Sequence, residues 1–270
     1  MFAAAIIVFR ESLEASLIIS VMLAATRGLP LRGRWVSGGI LLGLAGSAIV
    51  ASSMEAIANF ANGVGQELFN VAILVAAIGM LAWHNIWMSV HGKELAREIS
   101  QKARAVIDGR SAHSVIMLVV SLAVLREGAE TVLFLYGVIT GGGNDVPDTL
   151  LGSTIGLMLG AMVGALLYTG LLRVPVRWFF AVTSALVLLL AASMASQAAR
   201  LLIQADLLPS LAMPLWDTSG LLSQNTAMGT ILHGLVGYEA QPAGMQVLAY
   251  VVVLTAIALG TKWVSRRSRS

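Results

Sequence analysis

A chain of 270 residues that is 57% hydrophobic and only 11% charged, with a mean hydropathy of +0.84, lies well outside the range of soluble globular proteins. It contains no cysteine, which excludes disulfides and thiolate metal sites, so any metal must be held by oxygen or imidazole. The net charge of +3 is small, and no nucleic acid is expected as a partner.

In chain order, the N-terminus lacks a basic n-region and carries Arg10, Glu11 and Glu14 where a signal peptide is uniformly apolar, so residues 2–24 read as a retained first helix. Apolar segments of about 20 residues, the length that crosses a ~30 Å hydrocarbon core, recur at 36–54, 68–90, 114–139, 150–172, 178–200 and 245–264. The prediction is an all-α polytopic membrane protein with seven transmembrane helices and no soluble domain. Helix two carries Gly39, Gly43 and Gly46, and helix five Gly152, Gly156, Gly160 and Gly164; these spacings read as packing surfaces that let helix backbones approach, and not as ligand contacts. Between helices three and four, residues 91–113 are polar with Leu95, Ile99 and Val106 at roughly helical spacing, which predicts an amphipathic linker along the inner membrane surface. On helix six, Ser193, Ser196 and Gln197 share a polar face that borders a pathway in this reading. The external connection, 201–244, is apolar from Met228 to Val236 and reads as a short helix dipping into the membrane. Asp217 is either its N-cap or, with Glu239, part of an outer mouth for cations. His233 reads as a packed, hydrogen-bonded side chain, and the 12 methionines, unclustered, as core filling.

Most of the 17 lysines and arginines fall on one side of this topology: Arg27, Arg32 and Arg34, then Lys93, Arg97, Lys102, Arg104 and Arg110, then Arg173 and Arg177, and finally Lys262, Arg266, Arg267 and Arg269. Positively charged connections face the cytoplasm, which puts the N-terminus outside and the C-terminus inside. Trp35, Trp83, Trp87, Trp178 and Trp263 fall near the same inner boundary, as belt residues do, and Trp216 alone is outside. The opposite loops hold Glu55, Glu67, Asp145, Asp148, Asp206, Asp217 and Glu239; this acidic rim either concentrates cations or merely solvates the loops.

Two charged pentapeptides interrupt the apolar pattern: Arg10-Glu11-Ser12-Leu13-Glu14 in helix one and Arg126-Glu127-Gly128-Ala129-Glu130 in helix four. Each charge at membrane depth costs roughly 2.5–3.5 kcal/mol, so a chain that keeps six is using them. The copies are three helices apart and run in opposite directions, so helices one to three and four to six read as inverted repeats, with a seventh helix added. The corresponding layout is a first repeat at 1–90, the linker at 91–113, a second repeat at 114–200, the external connection at 201–244, and the seventh helix with a basic tail at 245–270. Helical spacing gathers Arg10, Glu11 and Glu14 in one arc of ~100°, and Arg126, Glu127 and Glu130 in another. Four carboxylates against two guanidinium groups leave net negative charge, which suits a multivalent cation bound through hard oxygen ligands. Structural Arg–Glu bridging would account for only one glutamate per arginine. His84 and Asn85, toward the inner end of helix three, are candidates to line an exit.

With these motifs, the seven spans, Leu215-Trp216-Asp217-Thr218-Ser219, and the stretch Leu232-His233-Gly234-Leu235-Val236-Gly237-Tyr238-Glu239 with Pro242, the chain resembles the high-affinity iron permeases, the oxidase-dependent iron transporters of fungi and the EfeU-type permeases of bacteria. The resemblance covers nearly the whole chain. It implies iron import across a plasma membrane, a bacterial inner membrane in this case, with Glu11, Glu14, Glu127 and Glu130 as iron ligands and Arg10 and Arg126 as their motif partners. Iron would be the transported substrate, with no permanent cofactor. The resemblance further implies an external iron-binding protein and a haem peroxidase as partners in the bacterial type, or a multicopper oxidase in the fungal type. Ser12 departs from the glycine usual in the family, so the half-sites need not be equal. Carboxylates alone do not choose iron, and another hard divalent cation such as manganese is the alternative cargo. A membrane-embedded enzyme using the glutamates as acid and base finds no nucleophile or nucleotide loop in the chain, so no enzymatic activity is expected.

Overall fold

The computed structural model describes residues 1–60, 66–141, 146–169, 176–224 and 226–267. Asp145, Arg173 and Arg269 lie outside the described residues, as do the side chains of Glu55, Lys93, Leu95, Arg177, Trp178, Arg266 and Arg267. Among the described residues every regular element is a helix: α1 (Phe2–Ala25), α2 (Arg32–Phe60), α3 (Gln66–Ile107), α4 (Ser114–Thr140), α5 (Val146–Tyr168), α6 (Val176–Gln204), α7 (Ala227–Val236) and α8 (Gly244–Arg267). Five of them contain stretches long and apolar enough to cross a membrane: Arg32–Met54, Glu67–Trp87, Val146–Tyr168, Ala181–Gln204 and Gly244–Val264. The other two long helices, α1 and α4, are those that carry the charged pentapeptides.

Small residues set the helix pairing. α1 packs chiefly on α5, and α2 on α4. A Cβ on Gly156 would come within 2.4 Å of the Ala5 carbonyl oxygen, and one on Gly43 within 2.6 Å of Val124 Cβ, so no larger residue fits at either crossing. Without a hydrophobic driving force between helices in lipid, close backbone approach of this kind is what holds them together. The outer faces of the glycine helices are apolar and open, with Leu41 and Met158 each 68% exposed, as befits surfaces whose solvent is hydrocarbon.

Two hydrophobic clusters fill the interior. One joins Ala3 and Ile7 of α1, Leu74, Ala77 and Leu81 of α3, Phe134 and Val138 of α4, and Leu190, Ala191 and Met194 of α6. The other joins Met22, Val36, Ile99, Ala103, Val106, Ile116, Val120 and Val124. The pentapeptide of α1 lies between Ile7 and Met22, and that of α4 between Val124 and Phe134. The charged residues therefore form a polar layer between the clusters, and α1 and α4 traverse it in opposite directions.

Two local expectations are corrected. Residues 91–107 are not a separate helix: α3 runs on unbroken for 42 residues, about 63 Å of helical rise, and Ile99 and Val106 are buried against α1, α2 and α4. Both of the stripe's residues that lie among the described side chains are therefore covered by protein. Asp217 does not cap the short helix of the connection between α6 and α8. That helix, α7, is capped by Thr226, whose hydroxyl accepts a hydrogen bond from the Gly229 amide at 3.1 Å. It ends at Gly237, in the left-handed region at φ 73°, with the Gly237 and Tyr238 amides donating back to the His233 and Leu232 carbonyls.

Candidate metal centre

The i, i+4 spacing that places Arg10 and Glu14 on one helical face also pairs them: Arg10 Nε lies 3.1 Å from Glu14 Oε1, and its terminal nitrogen 3.7 Å from Glu11. α4 repeats the pattern, with Arg126 Nε 3.1 Å from Glu130 Oε1 and 3.9 Å from Glu127. The two half-sites are not equivalent. Arg10 is 1% exposed, whereas the Arg126 side chain is 39% exposed and its guanidinium stacks 5.0 Å over the Trp87 ring. Trp87, expected in an interfacial belt, is thus a partner of the motif.

Close approach of the flanking helices makes room for this layer. Gly160 of α5 receives the Ser12 side chain, whose hydroxyl donates to the Phe9 carbonyl at 3.0 Å. In the other half the order is exchanged: Gly128 of the motif receives Ser47 of α2, whose hydroxyl donates to the Gly43 carbonyl. Ser12, standing where the second motif has Gly128, is matched by Gly160 on the opposing helix, so the close crossing is kept in both halves.

Between the motifs stands His84 of α3, buried to 1% exposure. Its Nε2 donates to Glu14 Oε2 at 3.1 Å, and its Nδ1 lies against Glu130 Oε2. Glu11, His84, Glu127 and Glu130 each offer a ligand atom, and these atoms all lie within 4.8 Å of one another. Glu14 stands outside that set, held by Arg10 and His84. Both carboxylate oxygens of Glu11 and one each of Glu14, Glu127 and Glu130 are buried without a hydrogen-bond partner. Three carboxylates converging with unsatisfied oxygens in a sealed interior are a poor structural arrangement and a good cation ligand set. His84, expected near an exit, therefore lies in the middle of the charged layer. The sequence signal that could have found it is modest: a buried-face histidine on a helix that follows Leu74, Ala77 and Leu81 at helical spacing.

The structure does not bring Asp217 and Glu239 to this centre. Asp217 is exposed in the connection between α6 and α8 and accepts hydrogen bonds from the Ser219 amide and hydroxyl and from Gln241, which hold its carboxyl below the usual range. Glu239 is partly buried, accepting from Gln224, with Arg200 at 4.0 Å and His233 at 3.7 Å. His233 is hydrogen-bonded through Nδ1 to the Tyr238 carbonyl, as a packed histidine should be. Ser193, Ser196 and Gln197 are buried, and Arg200, one turn beyond, donates to the Gly141 carbonyl at the end of α4.

Comparison with known proteins matches residues 1–269 to the iron permease FTR1 family. The chain belongs to that family. It is 30% identical to the ferrous iron permease EfeU of Shigella sonnei over the full length of both chains. It is also 30% identical to that of Escherichia coli over 94% of this chain and 92% of the relative, and to that of Yersinia pestis over 94% and 90%. No solved structure matches. The family and these relatives are named as permeases, that is transporters and not enzymes.

Proposed function

We propose that the chain imports iron, as Fe(II), across a bacterial inner membrane through a mid-depth site formed by the two Arg-Glu-x-x-Glu helices. The observation that carries the reading is the convergence of Glu11, Glu127 and Glu130 around His84, with carboxylate oxygens left unsatisfied between two apolar clusters. The ferrous form is supported by the names of the relatives.

In this reading α1 and α4 span the membrane with the five apolar helices, giving seven spans, and residues 1–90 and 114–200 are inverted repeats. The exchange of partners, α1 with α5 and α2 with α4, supports such a pseudo-twofold relation, because each motif helix takes the glycine helix of the other repeat. The start of α1 and the external connection lie outside the cell, and the basic ends of α1, α3 and α8 lie in the cytoplasm. The four glutamates neutralise the cation where water cannot, and Arg10 and Arg126 offset their charge when no cation is bound. An external iron-binding protein and a haem peroxidase would deliver iron at the connection holding Asp217 and Glu239.

Radio-iron uptake by cells carrying Glu127→Gln tests the reading. Uptake falls to background while the protein remains in the membrane at normal level; uptake equal to the parent's would refute it.

A further inference from the structure

We infer that His84 supplies a nitrogen ligand to the transported cation through Nδ1, and that Glu14 is the positioning residue that holds the imidazole rather than a ligand itself. The inference rests on the iron-transport reading and redraws its ligand set. It starts from the commitments of the two ring nitrogens. Nε2 donates to Glu14 Oε2 at 3.1 Å, and Arg10 Nε stands 3.1 Å from the other oxygen of Glu14 as an ion pair, without forming a hydrogen bond. What sets Glu14 apart from Glu130, which also faces an arginine and His84, is its place outside the group of converging donor atoms. The other ring nitrogen, Nδ1, is buried and lies against Glu130 Oε2 on the side of the cluster, where a bound cation would take the place of the proton that Nδ1 shares with that carboxylate. His84, and not Glu14, belongs to the set of groups whose donor atoms all fall within 4.8 Å of one another. An imidazole that gives its second N–H to a carboxylate, itself fixed by a further partner, is how metal-bound histidines are held in orientation.

The consequence is a site of three carboxylates and one imidazole. Oxygen ligands alone serve magnesium and calcium as readily as iron, whereas an imidazole nitrogen favours first-row transition ions. His84 therefore gives the site a means to admit Fe(II) past the far more abundant hard divalent ions. It also makes the two halves chemically unequal: Glu14 and Glu130 occupy matching places in the pentapeptides, yet a single histidine serves both, with Nε2 toward one and Nδ1 toward the other.

X-ray absorption at the metal edge of the purified full chain, loaded anaerobically with Fe(II), tests this. The expected spectrum shows oxygen ligands and one imidazole. His84→Ala abolishes the imidazole signature, lowers Fe(II) affinity about tenfold or more, and narrows the preference for Fe(II) over Mg(II). Glu14→Gln, which retains an acceptor for Nε2–H, keeps the bound metal and the imidazole signature, whereas Glu11→Gln loses the metal. The inference is overturned if the parent protein binds Fe(II) through oxygen alone, or if Glu14→Gln and Glu130→Gln deplete the metal equally. The parent spectrum decides even if a variant fails to fold. Metal bound without imidazole sinks this inference and leaves the transport reading standing; no metal bound at the cluster sinks both.

Discussion

At the scale of single residues, the two arginines of the repeated motif differ most in what surrounds them. Arg10 is sealed in the interior beside Glu11 and Glu14, and removing it leaves buried carboxylates without their counter-charge, a loss on the order of 3–5 kcal/mol. Arg126 is partly open and shares its charge between Glu130 and the face of Trp87. Arg10→Ala is therefore expected to lower the melting temperature in detergent markedly more than Arg126→Ala, and equal losses would mean that the half-sites are energetically alike. Arg126→Lys keeps the charge but loses the planar stack, so it should behave closer to Arg126→Ala than to the parent. Asp217 gives a pH prediction with a definite sign. Its folded carboxyl titrates below the usual value because Ser219 and Gln241 donate to the ionised form, so its contribution is complete above the ordinary carboxylate range and is lost as pH falls through the lowered value. Hydrogen exchange of the Ser219 amide should stay protected from neutral pH down to about pH 5 and lose protection only in stronger acid, where carboxylates protonate.

At the scale of elements, glycine spacing means different things in different helices. Gly43 and Gly156 sit at crossings where a Cβ would collide with Val124 and with the backbone of Ala5, whereas Gly79 of α3 has nothing within 4 Å of that position. Gly43→Ala and Gly156→Ala are expected to destabilise the fold by roughly 1–3 kcal/mol through overpacking. Gly79→Ala should be neutral or stabilising by up to about 1 kcal/mol, since alanine is the better helix former and no neighbour must move. Thermal unfolding of the three variants in one detergent makes the comparison, and a uniform loss would show that general helix flexibility, not close approach, is what these glycines supply. The run of α3 through residues 91–107 follows the same logic of contact. Its stripe of Leu95, Ile99 and Val106 was legible as helical, but periodicity carries no information on which neighbour covers a stripe.

At the scale of the whole molecule, the absence of cysteine makes topology open to single-cysteine labelling without background. A cysteine replacing Leu221, 92% exposed in the connection between α6 and α8, should react with an impermeant maleimide in intact cells if that connection faces outward as proposed. One replacing Ala112, between α3 and α4, should react only after permeabilisation; the opposite pattern would invert the proposed orientation. The sequence by itself determined the all-helical, lipid-facing character of the chain, because hydrocarbon leaves no other way to satisfy the backbone. It also marked the chemistry, since Arg10, Glu11, Glu14, Arg126, Glu127 and Glu130 are too costly in an apolar setting to be incidental. What only the tertiary structure decided is which side chains meet. The pairing of α1 with α5 and of α2 with α4, the matching of Ser12 to Gly160 and of Gly128 to Ser47, and the arrival of His84 between Glu14 and Glu130 all join residues remote in the chain. Local periodicity fixes the face on which a residue lies, whereas the neighbour that face meets is chosen by the packing of every helix at once.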